Sequence, residues 1–329
     1  MKEFFVQTKF PQKEQNTFST VQEAIDQLPA NNELCIIRIA PGIYREKITL
    51  QRSDTILEGL GADPADTVLV YGDFAFDQMP DGSRRGTFRS YSFLLDANNV
   101  TLRNLTISND SGDETKAGQA IALYADGDGL LIDHCRLLGR QDTLFTGPLP
   151  PREIQPGGFI GPKQFAPRIN GHHLYRDCYI CGNVDFIFGS ATAYFEHCTI
   201  ESLPHGGEEE IRGYVTAPST PEGQLYGYVF HTCDFISGEC PPDSVYLGRP
   251  WRDFGQSVFV DCTIGRHIKQ EGFHDWGKEQ ARQFSTFSTV RCIRESGEPY
   301  QATAPFTKQL TEAQLQRLDQ KSVLENKVL

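Results

Sequence analysis

Short segments in which apolar and polar positions alternate recur along the chain. The clear ones cover residues 100–108, 130–139, 174–182, 193–202, 228–237 and 258–266, and residues 289–293 have a similar pattern. Each segment reads apolar, polar, then Cys or Leu, one further residue, and then Ile, Leu or Phe. This alternation predicts β-strands whose successive side chains point to opposite faces. The recurring position is held by Leu105, Cys135, Cys178, Cys198, Cys233, Cys262 and Cys292.

The segments are unevenly spaced, with 20 residues between Cys178 and Cys198 but 43 between Cys135 and Cys178. A solenoid accepts such spacing because its loops differ in length from turn to turn. Stacked strands would bury one apolar column and pair their backbones between turns. The sequence therefore predicts an all-β fold, a parallel β-helix, formed as a single domain by residues 1–329. The recurring Cys and the apolar residue two positions later are expected to point into its interior.

The chain contains nine cysteines. The recurring ones are interpreted as a packing ladder rather than as metal ligands or disulfides. Cys178 and Cys181 form a CxxC, which could be a redox pair or half of a zinc site, but the sequence lacks a second CxxC or a matched His pair. The pair is therefore predicted to place one thiol inward and one outward on a strand, with no metal and no cofactor bound. The histidine cluster at 171–173, Gly-His-His, is predicted to lie at the surface.

Two helices are predicted, one towards each end of the chain. In residues 18–29, Thr20 and Glu23 have the spacing of a capping box. One face of this helix is apolar, so it is expected to plug the open end of the solenoid. Residues 310–320 are predicted to form the second helix, docked near the other end or on the flank. The apolar face of the first helix comprises Val21, Ala24, Ile25 and Leu28.

Two long loops interrupt the repeats. Residues 146–170 hold six Pro and, with the bordering Gly171, five Gly, so they cannot form a central strand. Long loops on one face of a solenoid commonly shape a binding groove, and this loop is expected to do so. The shorter polar loop at 203–213 is predicted to be a solvated surface loop.

The formal net charge is −12, from 43 acidic and 31 basic residues. This balance argues against a nucleic acid or an anionic membrane surface as partner, because both attract positively charged patches. No stretch of about eighteen consecutive apolar residues occurs, so no transmembrane helix is predicted. The first residues lack the apolar core of a secretory signal, which with the odd number of cysteines predicts a cytoplasmic protein, or a secreted one if a signal has been removed. A monomer is expected, as is common for solenoids of this kind.

Four motifs carry candidate chemistry. GQAIAL (118–123) contains Gln119, and GRQDTLF (139–145) contains Gln141 and Asp142. DFIFG (185–189) places Asp185 directly before a bulky apolar run, where a carboxylate needs a dedicated partner. YLGRPW (246–251) supplies Arg249, which could be that partner. Taken singly, each residue also fits a structural ion pair that braces two coils, whereas two Asp, two Gln and an Arg together favour catalysis.

These motifs occur in the same order as in the pectin methylesterase family, together with TVQEAID (20–26), PGIYREKI (41–48) and GYVTAPST (213–220). The chain resembles that family over nearly its whole length. The resemblance implies a right-handed parallel β-helix and hydrolysis of the methyl esters of galacturonic acid, with release of methanol. The implied partner is methyl-esterified pectin or methyl-esterified oligogalacturonides.

The resemblance also implies a role for each residue of the four motifs. Asp185 would be the nucleophile that attacks the ester carbonyl carbon. Asp142 would give a proton to methanol as it leaves and then act as base on the hydrolytic water. Gln119 and Gln141 would donate amide hydrogens to the oxyanion, and Arg249 would keep Asp185 ionised and aimed. The assignment is physically consistent, since two neighbouring carboxyl groups cannot both ionise easily and the arginine decides which one does.

Aromatic side chains are expected to line the groove, because sugar rings stack their C–H faces on them. The two Trp of the chain are the stronger candidates, and Phe88 is the weakest. By the family's motifs the candidates are Phe145, Phe188, Tyr246, Trp251 and Trp276, with Phe88 added.

The chain departs from the family pattern between Asp142 and Asp185, which are 43 residues apart because of the loop at 146–170. This loop is expected to wall the cleft and to restrict the enzyme to chain ends or short oligosaccharides.

Other functions remain open on the sequence. A polysaccharide lyase would need a calcium cage of acidic ligands, and a polygalacturonase would need an acidic pair that flanks a glycosidic bond. A non-catalytic carbohydrate-binding β-helix is the remaining alternative.

Overall fold

The computed structural model of the protein describes residues 1–7, 16–206 and 209–328. Its strands form three sheets. Sheet A contains β1 (Lys2–Val6), β2 (Thr17–Phe18), β3 (Cys35–Ile39), β6 (Thr55–Gly59), β9 (Val100–Arg103), β12 (Leu130–Asp133), β15 (His172–Arg176), β18 (Thr192–Glu196), β21 (Tyr228–His231), β24 (Gln256–Val260) and β26 (Thr286–Val290). Sheet B contains β4 (Gly42–Arg45), β7 (Thr67–Tyr71), β10 (Thr106–Asn109), β13 (Arg136–Leu138), β16 (Tyr179–Gly182), β19 (Thr199–Ser202), β22 (Asp234–Ile236), β25 (Thr263–Ile264), β27 (Cys292–Arg294) and β28 (Pro299–Tyr300). Sheet C contains β5 (Ile48–Leu50), β8 (Phe93–Leu95), β11 (Leu123–Ala125), β14 (Leu144–Thr146), β17 (Val184–Gly189), β20 (Gly213–Pro218) and β23 (Val245–Gly248).

From β3 to β25, successive strands belong to sheets A, B and C in strict rotation. From β6 onwards in this range, each strand pairs in parallel with the strand of the same sheet one coil earlier, as β12 pairs with β9 and β17 with β14. This is a parallel β-helix, and the all-β prediction is confirmed. Among the described strands, β27 and β28 form the one antiparallel pair. The side chains that point between the three sheets form a single central core along the coils.

The helices are short. They are α1 (Val21–Asp26), α2 (Glu114–Ala117), α3 (Glu279–Phe284), α4 (Glu312–Leu315) and α5 (Gln320–Val323), with 3₁₀ turns at Pro64–Asp66 and Thr87–Arg89. The predicted capping box is present, since the Thr20 side chain accepts from Glu23 N–H and the Glu23 side chain accepts from Thr20 N–H. The apolar face of α1 joins the first coils of the central core, as expected for a plug. In the described ranges, no helix is both long and apolar enough to cross a bilayer.

The prediction of one continuous helix at 310–320 is wrong. The segment breaks into α4 and α5, because Asp319 leaves the helical conformation and caps α5 by accepting from Ser322 N–H at 3.0 Å. Leu318 and Val323 pack on the outer face of sheet A, against Leu131 and its neighbours. The segment therefore covers the flank of the solenoid rather than its end.

The sequence pattern predicted one strand for each recurring segment, and this prediction is wrong. Each one contains the end of a sheet A strand, a corner, and the start of a sheet B strand. The residue before each recurring Cys or Leu has a left-handed backbone conformation, which turns the chain and which Asn, Asp and His tolerate well. These corner residues, with φ of 50–53°, are Asn104, His134, Asp177, His197, Thr232, Asp261 and Arg291.

The cysteine ladder itself is confirmed. The six recurring cysteines are free and buried in the central core. Each thiol donates to a backbone carbonyl of the coil below, as Cys198 Sγ does to Tyr175 O at 3.4 Å and Cys233 Sγ does to Phe195 O at 3.4 Å. A small side chain with a weak donor therefore fits the corner and satisfies a carbonyl there.

Of the other two predictions, the one for Cys178 and Cys181 agrees with the structure, and the one for the histidines at 171–173 does not. Cys178 joins the central core, whereas Cys181 is buried outside it, in agreement with opposite orientations. The prediction that residues 171–173 lie at the surface is wrong, because His173 is fully buried and His172 nearly so. His172 Nδ1 bonds Asp128 at 2.8 Å, and burial lowers the pKa of His173 to about 4. The burial of the two histidines could not be predicted from the sequence, because both lie at the start of β15 and the outer face of this strand is covered by the C-terminal segment.

Stacked aromatic rings continue the core through the middle coils. Phe230 lies parallel to Phe195 at 4.4 Å and to Phe259 at 4.9 Å between ring centroids, and it is fully buried.

Phe230→Ala should lower the free energy of unfolding by about 3–5 kcal/mol, since it leaves a cavity in a packed column. Phe165, which is 92% exposed, is the matched control. Equal denaturation midpoints for Phe230→Ala and Phe165→Ala would contradict this account of the core.

Candidate active site

The four motifs singled out in the sequence meet on one side of sheet C. Gln119 lies in the loop before β11, and Gln141 and Asp142 lie in the turn before β14. Asp185 lies in β17, and Arg249 directly follows β23. The strands β11, β14 and β17 are neighbours in sheet C, and β20 separates β17 from β23. The stacking of coils thus brings all five side chains to one cavity of about 430 Å³.

A β-bulge in β17 directs Asp185 into this cavity. The register between β17 and β20 shifts between Val184 and Ile187, and Asp185 has a left-handed φ of 50°. The consecutive residues Phe186 and Ile187 both enter the central core, which a regular alternating strand could not achieve. The bulge explains how a carboxylate can directly precede a run of buried apolar side chains.

Arg249 is the dedicated partner of Asp185. Its Nε donates to Asp185 Oδ1 and its Nη2 donates to Asp185 Oδ2, both at 2.8 Å. The two side chains are only 15% and 11% exposed, so this is a partly buried bidentate ion pair. Burial alone would lower the pKa of Arg249, but the Asp185 carboxylate outweighs it and the pKa is raised.

Two aromatic rings hold the guanidinium in place. Arg249 Cζ lies 3.7 Å from the ring centroid of Tyr214 and 3.8 Å from that of Trp276. Such contacts stabilise a cation that has left water. Because three neighbours fix the Arg249 side chain, the carboxylate of Asp185 is fixed as well.

Asp142 has the opposite electrostatic environment. Its backbone N–H donates to Val184 O at 3.0 Å, and its side chain is buried without a hydrogen-bond partner among the described residues. Burial, and next the charge of Asp185, raise the pKa of Asp142 well above the ordinary range, with Arg249 opposing. The site therefore holds one carboxylate that is paired with an arginine and, next to it, one carboxyl group whose raised pKa favours the protonated form.

Gln119 and Gln141 complete the polar wall of the cavity. Gln141 O accepts from Ala120 N–H at 3.1 Å, which joins the two coils. Within the described ranges neither side-chain amide forms a hydrogen bond, so both remain able to donate to a bound group. Their predicted role at an oxyanion is geometrically possible and stays a prediction.

Four of the six predicted aromatic residues line the cavity. Phe88, Phe188, Trp251 and Trp276 contribute to its wall. Phe145 does not, because it is fully buried behind Phe88 and Phe188, at 5.1 and 4.9 Å between ring centroids. It supports the wall and cannot stack on a sugar.

Tyr246 also departs from the expectation. It stacks on Tyr214 at 5.6 Å and faces a neighbouring cavity with His274, outside the one that holds the acidic residues. Its ring reaches the site only through Tyr214, which itself contacts Arg249.

The loop at 146–170 walls the cavity, as predicted. Its residues 153–155, 158 and 159 line one side. The Glu153 carboxylate accepts from Gly157 N–H at 3.1 Å and from Phe159 N–H at 3.4 Å, which fixes the fold of the loop. Phe159 packs edge-on against Phe88 and Trp251. In the shorter loop at 203–213, residues 207 and 208 lie outside the described ranges, and the prediction for them stays open.

Sequence reasoning missed several residues of the site. Tyr214 lies in the quoted motif GYVTAPST, so its motif was a usable signal. Arg252 directly follows LGRPW, and Lys278 follows Trp276 by two positions. Phe159 and Lys278 lie in non-repeating loops, where no periodicity indicates direction.

Known proteins resemble this chain closely. The sequence model of the pectinesterase family matches residues 9–149 and 169–291. It therefore skips residues 150–168, most of the loop that walls the cavity. Pectinesterase 31 of Arabidopsis thaliana is 31% identical over 282 residues, which cover 84% of this chain and 79% of that protein.

Solved structures agree with the sequence match. The pectin methylesterase PemA of Erwinia chrysanthemi superposes with a TM-score of 0.78 at 28% identity, covering 98% of this chain and 97% of PemA. The pectin methylesterase of Yersinia enterocolitica gives 0.76 at 27% identity, over 94% and 99% of the two chains. With the fold, the motifs and the family match in agreement, the chain belongs to the pectinesterase family.

Proposed function

We propose that Asp185 is the nucleophile of this pectinesterase and Asp142 its proton donor, in the hydrolysis of methyl-esterified galacturonate. The protein is a carboxylic ester hydrolase that releases methanol. The observation that carries the assignment of roles is the bidentate pair of Arg249 with Asp185, next to a buried Asp142 whose pKa is raised. A related pectin methylesterase has been solved in complex with a hexasaccharide, which supports an oligogalacturonide as ligand of the cavity.

In the first half of the reaction, an Asp185 oxygen attacks the ester carbonyl carbon. The oxyanion that forms accepts hydrogen bonds from the amides of Gln119 and Gln141. Asp142 gives its proton to the methoxy oxygen, the carbon–oxygen bond breaks, and methanol leaves. An anhydride now joins the galacturonate to Asp185, and Asp142 is ionised.

The second half restores both carboxyl groups. Asp142 takes a proton from water, whose oxygen attacks the galacturonate carbonyl of the anhydride. The bond to Asp185 breaks, so Asp185 regains its charge and Asp142 its proton. One water is consumed, and one galacturonic acid and one methanol are formed.

A single assay separates this reaction from the alternatives. The protein is mixed with methyl-esterified pectin, and methanol, unsaturated sugar and reducing ends are measured. We expect methanol alone. Unsaturated sugar would indicate a lyase, new reducing ends would indicate a polygalacturonase, and the absence of all three products would indicate a binding protein.

In the described ranges, one group of acidic and histidine side chains has a spacing suited to a metal ion. This group, Asp133, His134 and Asp177, lies at the corner between sheets A and B rather than in the cavity.

We further propose that the loop at 146–170 favours short oligogalacturonides over long pectin. Support comes from residues 153–155, 158 and 159, which border the cavity, and from the absence of residues 150–168 from the match to the family's sequence model. A wall of this kind limits how far a polymer can extend past the catalytic residues.

Replacing residues 150–168 by a two-glycine linker should shift the preference towards polymer. Because the wall is removed, we expect the ratio of kcat/KM on long pectin to kcat/KM on short methylated oligomers to rise about tenfold, the effect of roughly 1.4 kcal/mol. Methanol release from both substrates measures it. Equal turnover of the two substrates by the unaltered protein would contradict the proposal, as would a ratio that the deletion leaves unchanged.

A further inference from the structure

The imidazole of His274 closes the turn that carries Trp276. Its Nδ1 accepts from Trp276 N–H at 3.0 Å. A backbone N–H can only donate, so Nδ1 has no proton in this bond, and the ring is neutral with its hydrogen on Nε2. Trp276 has a left-handed φ of 57° here, which is unusual for so bulky a residue. The turn has a second side-chain acceptor in Asp275, whose Oδ1 accepts from Gly277 N–H at 2.8 Å.

His274 also contacts the end of the strand that carries Arg249. Its backbone N–H donates to Gly248 O at 3.0 Å, one residue before the arginine. Its ring packs edge-on against Tyr214, at 5.9 Å between ring centroids. Tyr214 and Trp276 are the two rings that lie over the Arg249 guanidinium. One histidine therefore contacts both aromatic residues that hold the arginine in place.

The surroundings of the ring disfavour its charged form. Burial lowers the pKa of His274, the charge of Asp275 opposes this effect, and the charge of Arg249 adds to it. A protonated imidazole would place a second positive charge near the guanidinium, which like charges disfavour. The neutral ring that the hydrogen bond requires is thus the form that the site favours.

The other ionisable groups near the ring have ordinary pKa values outside the range of pH 5–8. Burial raises the pKa of Tyr214 and that of Tyr246, whose ring lies 5.3 Å from His274, so both stay neutral in this range. Glu271 and Arg282 border the same neighbouring cavity, and Arg282 donates to Asp275. Of the groups that face one another here, His274 is the one whose ordinary pKa lies between pH 5 and 8.

We propose that His274 is a positioning residue of the active site, which holds Trp276 over Arg249 only while its imidazole is neutral. The inference rests on the proposed function, because the arginine in question orients the nucleophile Asp185. Protonation by solvent places a hydrogen on Nδ1, so that an acceptor becomes a donor that faces the Trp276 N–H. The guanidinium then loses one face of its support, and the carboxylate is aimed less well. Acid therefore lowers activity through a residue outside the catalytic cavity.

His274→Asn separates the hydrogen-bond acceptor from the titrating charge. An Asn side-chain oxygen can accept from the N–H two residues later, but the amide does not titrate. Methanol release from a methyl-esterified oligogalacturonide gives kcat/KM at pH 5 and at pH 7.5. We expect the ratio of the first value to the second to be about fivefold higher in His274→Asn than in wild type, the effect of one ordinary hydrogen bond. Every other titrating group is common to the two proteins.

His274→Leu removes the acceptor together with the charge. It should show the same raised ratio as His274→Asn, but at pH 7.5 its kcat/KM should be about fivefold lower than that of His274→Asn. His197→Asn is the matched control, because His197 lies at an exposed corner of the coils with φ 52°, and its ratio should equal that of wild type. Equal ratios in wild type and His274→Asn would overturn the proposal, as would equal kcat/KM of the Leu and Asn variants at pH 7.5.

A second measurement does not depend on activity. The chain has two tryptophans, so Trp251→Phe leaves Trp276 as its single tryptophan. The fluorescence of Trp276 should change in one step between pH 7.5 and pH 5, and His274→Asn in the same background should abolish that step. An identical step in both proteins would show that His274 does not hold the tryptophan. If no methanol is released by any variant at either pH, the proposed function is wrong, and the fluorescence step alone decides the role of His274.

Discussion

Asp185→Asn should reduce methanol release by a factor of about 10⁴ or more, since removal of a covalent nucleophile is among the most damaging changes to an enzyme of this type. A neutral carboxamide cannot form the anhydride, so the loss lies in kcat rather than in KM. Initial rates of methanol release from esterified oligogalacturonide measure it. The left-handed backbone at this position, φ 50°, suits Asn at least as well as Asp, so the substitution adds no strain.

A matched control separates loss of the nucleophile from loss of an ion pair. Asp261 has a φ of 53° and forms a bidentate pair with Arg291, at 2.7 and 2.6 Å, on the outer surface of the coils. Asp261→Asn should leave the rate within about twofold and the stability within about 0.5 kcal/mol of wild type. Asp185→Asn is expected to lower the melting temperature more, because it leaves the largely buried Arg249 guanidinium facing a neutral group. Retention of a tenth of the activity by folded Asp185→Asn would refute the assignment of the nucleophile.

The sequence predicted the coils and the four motifs that meet at the cavity, but not the local backbone geometry that brings them there. Alternation of apolar and polar residues indicated strands, and the recurring cysteines indicated a shared interior. Neither signal shows that His134 and Asp177 turn corners with positive φ, or that Asp185 lies in a bulge. Each of these is a change of one residue's backbone that leaves the surrounding pattern of hydrophobicity unaltered.

The aromatic residues show why the lining of a solenoid groove is hard to predict from one strand at a time. In sheet C, Tyr124, Phe145, Phe188 and Ala217 are aligned on successive strands. Phe145 lies between two large rings and is covered by them. Phe188 has the small Ala217 on one side, and so its edge reaches the cavity. Exposure here depends on the residue one coil away, which is distant in sequence by a variable loop length.

The residues that close the cavity were unpredictable for a related reason. Phe159, Arg252 and Lys278 belong to loops that do not repeat, and hydrophobic periodicity carries no information about where such loops go. Their roles emerge only from contacts made across coils, such as Phe159 against Trp251.

Asp142→Asn should lower methanol release about 10²–10⁴-fold, the usual contribution of a general acid and base. The same substitution is expected to stabilise the protein near neutral pH. Buried Asp142 has a pKa raised by burial and by the charge of Asp185, so its ionised form is disfavoured in the folded state. An amide of nearly equal shape escapes that penalty. Activity and stability should therefore change in opposite directions, as is expected where function requires a strained site.

The pH dependence gives the sign of this effect. The folded protein holds the Asp142 proton more tightly than the unfolded chain, so the stability that the proton supplies is fully present below the unfolded pKa of about 4 and is lost as pH rises through the raised folded pKa. The melting temperature of Asp142→Asn minus that of wild type should be smallest in acid, grow with pH, and level off above the folded pKa. Asp243→Asn, at an exposed residue with φ 53°, corrects for any backbone benefit of Asn.

If Asp142 is the proton donor, the pH dependence of activity must agree with the pH dependence of the melting-temperature difference. The alkaline limb of kcat/KM reports the pKa of the acid that the free enzyme needs in its protonated form. That limb should fall at the pH where the stability difference levels off, because both report the same proton on the same carboxyl group. A stability difference that is independent of pH, or an alkaline limb well separated from the levelling point, would show that another group donates the proton. If the alkaline limb and the levelling point agree, the buried carboxyl group whose ionisation destabilises the fold is also the group that gives its proton to methanol as it leaves.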